Sequence, residues 1–423
     1  MNQPNWQQSC RATLVVVTLC SWLFACGGGS SSSSTAVTDP LSSPQPERIM
    51  LAGAGDIGIF DPSLARDPVT NRLWMSYSSV ETSSFYPPAQ YWAVSIRLAF
   101  SDDNGASWQD AGVQLAARAE QTVGPLLTGA ATPSINVNSN GIWQSETSTL
   151  RYDPGAPAGE RWKLLWFQYL HANQTSYFAD YSWIALKMAA TPLELATATP
   201  IKLFGGAGLQ AANTIAGAPA FAPIAGDPAI QLNTNLTRSL GGADRTELTL
   251  CIFSEPGLHT TASAVYLAIY CADASTAPII TEYLVYFRCN SPCDITAATS
   301  WEYVGRLLTP ADAAAAGAEH HYQAPALLQQ DGKTYLLATP VDTSSGDRYS
   351  GCRVYELTDI DSNQLRRSGG VPVEIARVDG DVGTHHGACA AIAGVDGGIL
   401  LSQFSADAPP QTFRIFKSQV VLP

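Results

Sequence analysis

From residue 50 onward the apolar positions fall in short runs rich in Val, Ile, Leu, Tyr and Trp, broken by Gly, Pro, Asn, Asp and Ser. That punctuation predicts strands joined by turns, since β-branched and aromatic residues suit a pleated surface and the breakers supply turn geometry. Predicted strands include Arg72–Ser78, Trp162–Leu170, Ala264–Cys271, Thr334–Thr339 and Gly398–Phe404. Helical periodicity is scarce, and only the Ala-rich piece Pro310–Ala318 predicts a helical turn or two. The chain is therefore expected to be all-β.

One earlier run differs. Ala12–Ala25 is apolar or small throughout, follows Arg11 and is too short to span a bilayer comfortably, so residues 1–25 are expected to be a signal peptide. The run ends in Leu23-Phe24-Ala25-Cys26, which resembles a bacterial lipobox and implies lipidation of Cys26. Secretory cleavage within Ser30–Ser34 is the alternative. Residues 26–47, opening with Gly27-Gly28-Gly29 and that serine run, suit a flexible tether. The missing Asp after Cys26 resembles sorting to an outer membrane. An exported chain, touching membrane through its lipid only, is expected, with residues 48–423 as one domain.

Charge removes a class of partner. The chain holds 23 Lys and Arg against 36 Asp and Glu, a net charge of −13. Tracking phosphates takes clustered cations, so nucleic acid is excluded as a partner. Beyond Cys26 stand Cys251, Cys271, Cys289, Cys293, Cys352 and Cys389. An even set in an exported chain suggests disulfides; Cys289 with Cys293 would close a small loop, and Cys251 with Cys271 would join the ends of a hairpin. The spacings do not match a zinc pattern.

The chain also echoes itself. Glu319-His-His-Tyr-Gln-Ala-Pro-Ala aligns with Thr384-His-His-Gly-Ala-Cys-Ala-Ala, and each segment leads through an Asp-Gly turn, at Asp331-Gly332 and Asp396-Gly397, into an apolar strand. Fainter copies begin at Asp61-Pro-Ser-Leu64, near Glu146, and at Glu255-Pro-Gly-Leu258. Taking Asp61, Glu146, Glu255, Ala324 and Cys389 as equivalent gives five units, with the Gly, Ala and Asn-rich stretch 205–242 as an insertion. Units unable to bury both sheet faces alone must stack around a ring, which predicts a five-bladed β-propeller.

Ser101-Asp-Asp-Asn-Gly-Ala-Ser-Trp108 resembles the Asp box of sialidases and related propellers, a structural hairpin on the rim. The order Asp61-Pro-Ser-Leu, a second-unit carboxylate, then Glu255-Pro-Gly resembles the five-bladed glycosidases of glycoside hydrolase family 43. That resemblance implies an axial pocket in which Asp61 is the general base, Glu255 the general acid and Glu146 the carboxylate that tunes the acid. An inverting glycosidase needs such a pair roughly 6.5–9.5 Å apart, with water between base and sugar. The second position is open by one residue, because aligning Leu150 with Leu64 sets Thr147 opposite Asp61, and a one-residue slip turns a side chain to the other face.

Other readings stand beside these. Asp61 before Pro62 also suits a turn; Asp56 is its nearest rival, and Asp67 belongs with the Asp67-Pro68 turn. Glu255 sits in an apolar stretch, where a charge needs a reason. His320, His321, His385 and His386 recur in two units; His321 and His386 are candidates to bind substrate hydroxyls or help hold a central Ca2+, although no cofactor is required, and a structural hydrogen bond is the alternative. Trp74, Tyr86, Trp92 and Trp143 could stack on a sugar or pack between strands, and Trp143 is the one carried as a substrate-binding candidate. The functional expectation is a surface-anchored, monomeric glycoside hydrolase with a carbohydrate substrate. The alternatives are a non-catalytic glycan- or protein-binding propeller and a sialidase-like exo-glycosidase, the last disfavoured by few and scattered arginines.

Overall fold

The computed structural model describes residues 47–82, 92–123, 126–128, 132–134, 139–172, 176–205, 248, 251–273, 281–297, 300–316, 321–342, 348–379, 385–404 and 413–422. Cys26, its tether, Tyr86, His320 and nearly all of the 205–242 stretch lie outside the described residues.

Five antiparallel blades make a β-propeller. From the axis outward, the first blade runs Gly58–Arg66, Leu73–Thr82, Trp92–Ser101 and Gln109–Ala116. The second runs Ser139–Tyr152, Trp162–Ala172, Ser176–Ala189 and Ile201–Gly205, with Ala119–Val123 added at its inner edge. The third runs Cys251–Thr260, Ala264–Asp273, Thr281–Asn290 and Trp301–Leu308. The fourth runs His321–Gln330, Lys333–Asp342, Cys352–Asp359 and Glu374–Val378. The fifth holds His385–Ala390, Leu400–Phe404 and Phe413–Lys417, and Glu47–Arg48 supplies its outermost strand, pairing with Lys417 and Phe416. Because that last strand comes from the other end of the sequence, it closes the ring. The Ala-rich piece after the third blade is a helix, Pro310–Ala315, with Thr309 and Asp312 forming a capping box.

Each blade is packed on both faces, so its second strand is a largely buried, mostly apolar run on both sides. Period-two alternation divides that run between neighbours. Leu73, Met75 and Tyr77 pack toward the fifth blade, while Trp74 joins Trp143, Trp162, Trp166 and Trp183 between the first and second. Tyr266, Tyr270, Tyr286, Tyr322 and Tyr355 fill the gap between the third and fourth. At the rim, the turn after the first blade's third strand is shaped by Asp103, which takes the Ser107 amide (2.9 Å) and the Ser101 hydroxyl (2.7 Å), with Gly105 at φ 93°.

Cys251–Cys271 and Cys289–Cys293 join as the spacing suggested, and Cys352–Cys389 ties the fourth blade's third strand to the fifth blade's inner strand. The last bond crosses between blades and constrains the ring as well as a strand. Replacing Cys352 and Cys389 together by Ala is expected to lower the unfolding free energy by about 2–4 kcal/mol. Denaturant unfolding measures this, and an unmoved midpoint would show that the bond adds no constraint.

Candidate active site

The inner strand of every blade breaks register once. At each break one non-glycine residue takes a left-handed backbone: Asp61 (φ 50°), Thr147 (51°), Glu255 (54°), Ala324 (45°) and Ala388 (48°). Such residues cost of order 1–3 kcal/mol each and persist only where the surroundings over-determine them. The surroundings here are the neighbouring blades. The Asp61 amide donates to Ser402 Oγ (2.8 Å), the Thr147 amide to Ser78 Oγ (3.1 Å) and the Ala388 amide to Thr339 Oγ1 (2.8 Å). Each acceptor lies on the second strand of the preceding blade. A bulge re-aims a side chain, and five of them form one ring of positions around the axis.

This ring corrects two equivalences. The fifth-blade member is Ala388, because Cys389 is committed to its disulfide one residue later. In the second blade it is Thr147, and Glu146 pairs with Phe167 one residue before the bulge. The histidine alignment shifts as well: counted from the bulges, His321 matches His385, not His386.

Although Glu146 sits off the ring position, its carboxylate and that of Glu255 both act electrostatically on Asp61. Burial first, then the charges of Glu146 and Glu255, hold Asp61 well above the usual carboxylate range, against hydroxyl donors Thr147 (3.2 Å) and Ser78 (3.3 Å). Burial pushes Glu146 up to about 7, assisted by Glu255 and opposed by the Tyr169 hydroxyl, which donates to Oε2 at 2.9 Å. Burial also pushes Glu255 up to about 7, against the Ala324 amide (2.7 Å) and the Tyr349 hydroxyl (3.0 Å). Three carboxyls so arranged retain protons near neutrality. Burial is the first cause that raises Asp61 and persists whatever the glutamates hold, while their charges add to it, so the three carboxyls do not all ionise together near neutrality.

Beyond the bulges the axis narrows to a cavity of about 30 Å³, lined by Asp61, Thr147, Ala324 and Ala388 and by small side chains such as Ser63 and Thr149. That volume suits a water or two and no sugar. Gly257 completes the small ring, where a Cβ would lie 2.2 Å from the Pro325 carbonyl oxygen. Arg151 closes the far end. Its guanidinium donates to Leu64 O (2.8 Å), Leu150 O (2.7 Å) and Leu327 O (2.9 Å), so it clasps the first, second and fourth blades, and burial lowers its pKa to about 10. A buried guanidinium on the axis disfavours a cation there. Among the described residues no group of three or more His, Cys, Asp or Glu side chains is placed to hold one.

His321 is buried, with Nδ1 against Glu282 (3.1 Å) and Nε2 against Gln323 (3.0 Å), and the Tyr270 hydroxyl donates to the same Glu282. His386 is buried on the fifth blade's inner strand, where its carbonyl accepts from Gly351 (2.7 Å). Trp143 lies 4.9 Å from the Trp183 ring within the core between the first two blades, so its faces are packing surface and not a sugar platform. Asp56 binds the Thr82 amide (2.7 Å) and hydroxyl (2.8 Å), and Asp67 folds its own turn by accepting from Val69 (2.8 Å). Tyr169, Tyr349, Ser78 and Arg151 were not anticipated. Nothing in the sequence marks them, since each meets the site only across a strand or blade boundary.

No protein-family model matches the chain, and no curated protein matches it. Solved structures resemble it at low identity. A thermostable family-43 glycoside hydrolase is 12% identical with TM-score 0.44, covering 86% of this chain and 90% of its own. The Bombyx mori family-32 β-fructofuranosidase BmSUC1 is 12% identical with TM-score 0.43, covering 88% of this chain, which spans 61% of that enzyme's length. A Cellvibrio cellulosa α-L-arabinanase complexed with arabinohexaose is 10% identical with TM-score 0.34, covering 71% and 73%. These are likenesses of fold among carbohydrate-active propellers.

Proposed function

We propose that this chain is a glycoside hydrolase that cleaves oligo- or polysaccharide by an inverting acid/base mechanism. One observation carries the reading: Asp61, Glu146 and Glu255 stand on the inner strands of the first three blades, are electrostatically coupled and are all held above the usual carboxylate range. Hydrolysis needs an acid to protonate the leaving oxygen and a base to activate water. Glu255 is the acid, Asp61 the base, and Glu146 a third carboxylate whose charge raises Asp61. The choice of sugar belongs to loops at the pocket rim.

Export with a lipid on Cys26 places this activity at the cell envelope, outer leaflet or outer membrane according to the cell's wall, and three disulfides support an oxidising compartment. The test is a panel of aryl glycosides and plant or algal oligosaccharides given to the soluble form beginning near Thr35, with the first-formed sugar anomer followed by proton NMR. Hydrolysis with inverted configuration is expected. Retained configuration would make Asp61 a nucleophile instead of a base. Glycan binding without hydrolysis would replace the enzyme by a binding propeller.

A further inference from the structure

The fourth bulge departs from the pattern of the first, second and fifth, and the departure bears on Glu255. In the first, second and fifth blades the bulge amide finds a hydroxyl on the second strand of the blade before it. For the fourth, the residue in that register is Tyr270, opposite Ser254, and its hydroxyl is turned to Glu282. The Ala324 amide donates to Glu255 Oε2 instead, at 2.7 Å. An amide can only donate, so it marks Oε2 as the oxygen that accepts. Oε1 faces the Tyr349 hydroxyl at 3.0 Å. A hydroxyl can do either: it donates to the ionised carboxylate and accepts from the protonated one.

Tyr349 has little freedom to leave. Its backbone pairs with Val341 at the end of the fourth blade's second strand, and the next residue, Ser350, bridges to His386 of the fifth. A Cβ at Gly387 would sit 2.7 Å from Tyr349 Cδ2 and 2.9 Å from its Cβ, so the fifth blade needs glycine there for the tyrosine to fit. The charged and titratable groups that act on Tyr349 are Glu255, Asp61 and Glu146, and with burial they keep its hydroxyl protonated.

We propose that Tyr349 is a positioning residue that places the transferable proton of Glu255 on Oε1 and sets the pH at which this acid is lost. The assignment rests on the hydrolase reading for its catalytic meaning. In the acid form the Glu255 O–H points to Tyr349 or to the leaving oxygen. On bond cleavage the proton passes from Oε1 to the departing alcohol, and the Tyr349 hydroxyl, keeping its own proton, turns from acceptor to donor toward the new carboxylate.

Tyr349→Phe keeps the ring against Gly387 and removes only the hydroxyl. With glutamate labelled at the carboxyl carbon, and the Glu255 resonance identified by its loss in Glu255→Gln, the Glu255 pKa is expected to rise by about one unit or more, because the ionised form loses a donor. The falling limb of kcat/KM against pH should move up by the same amount, with kcat below the limb reduced about tenfold and KM unchanged. A structural tyrosine would change melting and leave the titration alone. An unshifted resonance overturns the proposal whatever the activity. A shifted resonance in a chain that hydrolyses nothing upholds the coupling and overturns only the hydrolase reading.

Discussion

Glu255→Gln is expected to slow hydrolysis of natural glycosides by roughly 10²–10⁴-fold, the usual contribution of a positioned acid. The size should depend on the leaving group. An alkoxide departs only when protonated, whereas a nitrophenolate leaves without help, so the loss should shrink steeply toward activated aryl substrates. Asp61→Asn should cost a similar factor for every leaving group, because water must be activated whatever departs. The amide keeps the shape of the carboxyl and can still meet Ser78 and Thr147, so folding should survive. A loss from Glu255→Gln that is the same across all leaving groups would take the acid role away from this residue. Comparing kcat/KM over an aryl glycoside series measures it.

The second large effect is on stability and needs no substrate. Glu255 is buried and Glu146 half-buried, and burial pushes both carboxyls up to about 7 from an ordinary value near 4.5. Between those values the folded chain holds protons that the unfolded chain has released, so stability falls as pH rises through this window. The contribution is fully present below the unfolded value, is lost as pH passes the folded one, and is flat above it. Each shift corresponds to about 3 kcal/mol, and Asp61, raised by burial and by both glutamates, adds in the same direction. The neutral variant Glu255→Gln should therefore match the parent in melting temperature near pH 4.5 and exceed it by several degrees at pH 8. A gap that stays constant across that range would mean that the carboxyl is not strained when ionised.

Much of the architecture was legible along the chain. Short apolar runs between Asp-Gly and Pro-Gly turns announced strands, and the echo of Asp61-Pro, Glu255-Pro and the histidine segments announced five units. The helix after the third blade and two of the disulfides followed from composition and spacing. These are local properties: a strand buried on both faces must be apolar throughout, and a turn must use residues that tolerate its backbone.

What the sequence could not place was everything set by bulges and by contacts between blades. Asp61 and Glu255 stand at bulges whose counterparts are a threonine and two alanines, and nothing about Ala324 or Ala388 signals a left-handed backbone. Acceptors one blade away hold these amides, a hydroxyl for Asp61, Thr147 and Ala388 and the Glu255 carboxylate for Ala324, so the register of Glu146 against Thr147, and of Ala388 against Cys389, was decided only when the ring closed. The same holds for His321, which spends its nitrogens on Glu282 and Gln323, and for Trp143, which the core absorbs. By itself the sequence determined the strands and the number of units, because these depend on neighbours along the chain. The tertiary structure decided which oxygen of Glu255 faces Tyr349 and that Arg151 closes the axis, because hydrogen bonds and burial across the ring join residues that no local pattern relates.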